Sequence, residues 1–170
     1  MRPALSLRRA FTIVELLMVC AIIALLAALS IPNLVASKLK ANETSAIAKL
    51  KKIHAAQFSF KNSDLDNDGK GNFGNMQALI TAGQIDFGNG TNAPFNSDGY
   101  AFECEPSSDP SQVNYAFVAT ANPINPGSTG ERNFVMDING LVHFKTGEEI
   151  LAASLQPACE VPPGCSVAGN

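Results

Sequence analysis

The chain has 170 residues, 12 basic and 15 acidic side chains, and a net charge of −3. Beyond Ala10 the balance is 9 basic against 15 acidic, which excludes a general electrostatic attraction to nucleic acid. The length allows one modest domain besides an N-terminal segment. There is no Gly-x-Ser-x-Gly, phosphate-cradling glycine loop, His-Glu-x-x-His or Cys-x-x-Cys-His, so neither catalysis nor a bound haem is supported.

Three arginines, Arg2, Arg8 and Arg9, precede an apolar run from Phe11 to Ile31 that contains one charge, Glu15. Twenty-one residues of helix extend about 31 Å, the thickness of a bilayer core. Basic flanks stay cytoplasmic, which sends the C-terminal bulk to the far side. A secretory signal peptide fits poorly, because the run is too long and Ala28-Leu29-Ser30 is a weak cleavage site. A carboxylate within such a span costs about 2.5–3.5 kcal/mol, so Glu15 marks a function and a partner.

Pro32 removes a backbone donor and predicts a kink or local unwinding near Ser30–Asn33. A helical stripe then resumes, with Leu39, Ala46, Ile53 and Phe60 at sevenfold spacing and Ile47 and Leu50 between them. It reads as a face buried against a sheet rather than a coiled coil, since the flanking charges are not regularly opposed.

Helix signals stop at Asn62-Ser63. The next stretch, Asp64-Leu65-Asp66-Asn67-Asp68-Gly69, has the acidic spacing of a calcium loop, with Asp64, Asp66 and Asp68 as its ligands. Asn75 occupies the place of the bidentate glutamate, and Asp, Asn and Gly also build ordinary turns. Both readings stay open, the plain loop favoured; no cofactor is required.

Met76–Ala82, closed by Gly83 and capped by Asn75, predicts a short helix, and a polar loop follows over Gln84–Asp98. Tyr100, Phe102 and Cys104 alternate in one strand, which buries the Cys104 thiol; Tyr115, Phe117 and Ala119 alternate in another. Phe134–Ile138 and Leu141–Lys145 flank Asn139-Gly140, a hairpin signal. These predict an antiparallel sheet of three or four strands. Thr146 with Glu149 predicts the cap of a last helix running through Ser154. Cys20 reads as a small apolar filler within the span. In an oxidising compartment Cys159 and Cys165 are expected to pair, with Cys104 bonding one of them as the alternative. His54 and His143, the only histidines, are not spaced for zinc.

The leader ending Arg8-Arg9-Ala10, then Phe11-Thr12-Ile13-Val14-Glu15-Leu16-Leu17, the apolar continuation and Pro32 together resemble the type IV pilin and pseudopilin family. The resemblance implies an α+β pilin-like lollipop, one long helix packed on a small antiparallel sheet. Residues 1–10 would be a leader, 11–32 the transmembrane and assembly helix, 33–62 its amphipathic continuation, and 63–170 an ectodomain with a tail stapled by cysteines. It also implies cleavage between Ala10 and Phe11 by a prepilin peptidase, with N-methylation of Phe11. Alanine stands where the family usually has glycine. The new Phe11 amine would then meet Glu15 of a neighbour and set the filament register.

The expected role is a type IV pilus subunit serving adhesion, motility or DNA uptake. Its partners would be further copies, the peptidase and an assembly platform. It would sit in the inner membrane as a single-pass protein before joining an extracellular or periplasmic filament. A type II secretion pseudopilin is the alternative, though the Tyr-Pro-Thr-like and Gln-Gly-Leu stretches common in its major subunit are missing. A membrane-anchored calcium- or ligand-binding module that does not polymerise is the third reading, in which Glu15 would lack its partner.

Overall fold

The computed structural model describes residues 11–64, 69, 71–86, 95–111, 115–155 and 160–168. Among the described residues the first element is one helix, α1 (Ile13–Ser63). A short helix α2 (Met76–Thr81) follows, then strands β1 (Phe95–Ser97), β2 (Tyr100–Pro106), β3 (Phe117–Pro123), β4 (Arg132–Met136), β5 (Val142–Thr146) and β6 (Ser166–Val167), with a 3-10 turn at Ala152–Leu155. The chain divides into two units, Met1–Ser37 and Lys38–Asn170, and α1 contributes to both. The α+β class is borne out.

In the first unit α1 is apolar on all sides and its large side chains are exposed. Helical backbone continues through residues 30–33, so the local unwinding expected at Pro32 does not occur. Proline deletes one donor, and helical bonds on either side hold the turn. Ser30 Oγ donates to the Leu26 carbonyl and Ser37 Oγ to that of Asn33, both at 2.8 Å, adding side-chain bonds to the ladder around that gap.

In the second unit the six strands form one antiparallel meander in sequence order. The stripe on α1 is buried as its periodicity requires: Ala46, Leu50, Ile53 and Phe60 pack with Tyr100, Phe102, Phe117 and Phe134 on one face of the sheet. Leu39 and Ile47 lie at the margin of that contact. β2 alternates, Tyr100, Phe102 and Cys104 pointing to the helix. β3 is buried at every position because its second face is covered too, by Ile150, Ala152, Leu155 and Val161 over Val118 and Val135.

Among the described residues the sheet has six strands rather than three or four, because short strands β1 and β6 add to its edges. β1 lies within the expected loop. Its connection to β2 is Asp98-Gly99, both at positive φ (49° and 78°), with Ser97 opposite Tyr100. This is a two-residue hairpin of the Asp-Gly kind. The Asn139-Gly140 hairpin is instead a five-residue connection, with Met136 opposite Val142. Asp137 Oδ1 accepts from the Asn139 and Leu141 amides, both at 3.0 Å, and this side-chain turn replaces the tight one.

α2 forms where expected. Asn75 Oδ1 accepts from Ala78 N at 2.9 Å, and Gly83 takes a positive φ of 69° just past its end. The helix expected from Thr146 does not start there: Thr146 ends β5, Gly147 turns at φ 99°, and helical backbone begins only at Ala152. A carboxylate from the neighbouring strand, Glu103 Oε2, accepts the Ala152 amide at 3.0 Å. Tyr115 lies outside β3 and is exposed.

Candidate functional site

Thr12 and Glu15 open α1 as a reciprocal pair. Thr12 Oγ1 accepts from Glu15 N at 3.2 Å, while Glu15 Oε2 accepts from Thr12 N at 3.0 Å and from Thr12 Oγ1 at 2.9 Å. The sequence Thr12-Ile13-Val14-Glu15 is a capping box, which satisfies orphan amides at the helix start. The carboxylate also sits in the positive field of that terminus. Glu15 therefore fixes where the helix begins, a local role its burial argument missed. The Thr-x-x-Glu spacing was the available signal.

The apolar surface behind this cap is continuous. Phe11 is 81% exposed, and Ile13, Leu17, Ile23, Leu25 and Leu34 are also far outside any core. The helix is long and apolar enough to cross a membrane. A surface of this size requires lipid or protein against it. Cys20 lies on it, exposed.

Two type IV pilins resemble the chain. It is 32% identical over 101 residues to the type IV major pilin protein PilA of Myxococcus xanthus, covering 54% of this chain and 46% of that one. It is 41% identical over 75 residues to the type IV wide pilus major component PilA4 of Thermus thermophilus, covering 44% and 53% respectively. Over these segments the chain is similar to type IV major pilins. It spans about half the length of these curated relatives. No family model and no solved structure matches it.

The remaining residues sort by position. Ala10 lies outside the described residues, as do Asp66, Asp68 and Cys159. Asp64, the first of the expected calcium ligands, has Oδ2 accepting from Gly69 N at 3.1 Å. Cys165 is partly buried against the outer face of the sheet, and burial pushes its thiol up. Cys104 and Cys165 are not joined to each other. Cys104 is fully buried, its Sγ accepting from Gln57 Nε2 at 2.9 Å.

Gln57 is among the residues sequence reasoning missed. It is wholly buried, and its Oε1 accepts from Gly74 N at 3.0 Å while its Nε2 bonds the Gly74 carbonyl. It ties α1 to the segment entering α2. Glu43 and Arg132 form a second tie, with Arg132 Nε and Nη2 donating to Glu43 Oε2 at 2.9 and 2.6 Å. A third is His54 Nε2, 3.0 Å from the Ile138 carbonyl, with Gly140 packed against its ring. None of these pairs has a local motif to announce it.

Proposed function

We propose that this chain is a structural subunit of a type IV pilus, polymerising through the apolar part of α1. One observation carries the reading: an exposed apolar helix that begins at a carboxylate, in a relative of major pilins. Those relatives are filament components rather than catalysts, which supports a non-enzymatic role. The same helix anchors the precursor in the inner membrane until an assembly platform draws it into a filament.

Processing between Ala10 and Phe11 by a prepilin peptidase supplies the missing charge. The Phe11 amine, methylated, becomes the partner of Glu15 on an adjacent copy. Thr12 engages only Oε2, leaving Oε1 for that amine. In a low-dielectric stack an unpaired member of such a pair is costly, so the pairing selects one axial register.

Mass spectrometry of assembled material is expected to show a methylated Phe11 start, and an intact Met1 would overturn the processing step. Electron microscopy with a tagged chain is expected to show long surface fibres containing it. A secretion defect without such fibres would replace the pilus with the pseudopilin reading.

A further inference from the structure

We infer that the second unit carries both halves of a contact between copies of this chain, a groove on the α1 side of the sheet and a knob on the opposite side. The inference rests on the pilus reading and adds to it the residues through which the globular parts of neighbouring subunits meet.

The groove holds about 400 Å³ between α1 and the β4–β5 hairpin. Ile47, Leu141, Val142 and Ala168 give it an apolar lining, and Leu141 is 45% exposed. Its charged side chains are Arg132 and Lys51. Glu43 already matches Arg132. Lys51 is exposed and forms no ion pair among the described residues, so the lining keeps one uncompensated positive charge. The helix wall of the groove continues the helix through which copies polymerise.

The knob follows β5. Glu149 is exposed, Ile150 buried, Leu151 45% exposed and Ala152 buried. The two buried residues cover Val118 and Val135 on the face turned away from α1. Asn122 clamps the main chain there: its Nδ2 donates to the Ile150 carbonyl at 2.9 Å and its Oδ1 accepts from Ile150 N at 3.1 Å. Glu103 holds the Ala152 amide in the same way. A segment fixed at both buried positions presents Glu149 and Leu151 already ordered, so docking them forfeits little entropy. Glu149 forms no ion pair among the described residues.

The two halves match in character: Leu151 suits the apolar lining and Glu149 suits Lys51. A second copy is the occupant because one chain carries both. They lie at opposite ends of β5, Leu141 just before Val142 and Glu149 beyond Thr146, so neither blocks the other. Groove on groove would set Lys51 against Lys51, and knob on knob Glu149 against Glu149, which like charge disfavours. The favoured pairing is therefore heterologous, and it repeats from copy to copy as an open chain. One exposed ion pair and one leucine are weak alone. They gain weight once α1 packing holds neighbouring copies together and raises their effective concentration.

Charge reversal in the full chain, expressed in place of the parent in its own cells, tests the pair. Lys51→Glu and Glu149→Lys are each expected to cut the mass of sheared fibres about tenfold, and the variant carrying both to recover near the parent's yield. Both side chains are exposed, so the Tm of each single variant is expected to match the parent's, which separates lost docking from misfolding. Leu141→Cys combined with Leu151→Cys, oxidised in fibres, is expected to give a ladder of cross-linked multimers that neither single variant gives. Fibres from the parent with undiminished yield in both reversals, no recovery when they are combined, or cross-linking that stops at a dimer would overturn the contact and leave the pilus reading standing. No fibres from the parent would overturn the pilus reading and the contact with it.

Discussion

Glu43→Ala removes the acceptor that ties α1 to the start of β4. Glu43 Oε1 accepts from the Glu131 and Arg132 amides at 3.1 and 3.3 Å, and Oε2 accepts two guanidinium bonds. Its side chain is 7% exposed against 34% for Arg132. Removing one member of a buried pair costs about 3–5 kcal/mol. Arg132 regains water on its open side and keeps its stacking on Phe144, 4.9 Å away, which puts the cost at the lower end, about 3 kcal/mol. For a unit of this size that is a fall in Tm of about 10 °C. Calorimetry of the full chain in detergent measures it. Glu43→Gln, which still accepts the two amides, is expected to lose about half as much. In a double-mutant cycle with Arg132→Ala the two losses are expected to be less than additive. A loss below about 1 kcal/mol for Glu43→Ala would refute the assignment of this pair as the helix–sheet tie.

Other perturbations test separate parts of the argument. Glu15→Gln is expected to keep the chain membrane-inserted while sharply reducing filament yield by electron microscopy; normal yield would end the register role. Gly130→Ala is expected to cost about 3 kcal/mol, because a Cβ there overlaps the hydroxyl of fully buried Tyr100, which donates to the Arg132 carbonyl at 3.0 Å. A melting curve matching the parent's would show that the tyrosine can retreat. Burial, with Glu103 beside it, pushes the Glu105 carboxyl up, so folding favours its protonated form. Its contribution is present below the unfolded value and lost as pH rises through the folded one. Glu105→Gln should therefore raise Tm at neutral pH, with the gain vanishing in acid; a pH-independent difference would argue against the cause.

Much of the fold was legible because it is encoded over a few residues. The stripe from Ala46 to Phe60, the Asn75 cap and the alternation of Tyr100, Phe102 and Cys104 each follow from a short period or a single side-chain bond. Two equally local signals were present and went unread, the Thr12–Glu15 capping box and the Asp98-Gly99 hairpin. The Asn139-Gly140 signal was read and gave way, because Asp137 offered the turn a better set of acceptors.

The sequence by itself determined that one helix is too apolar to stand alone in water, that it starts at a carboxylate, and that an amphipathic continuation must bury one face. Periodicity and charge placement need no knowledge of the distant chain. Tertiary structure decided what meets that face: Glu43 finding Arg132, and Gln57 holding Gly74 and Cys104. Such contacts depend on strand register and on the covering of both sheet faces, which arise only when the whole second unit packs.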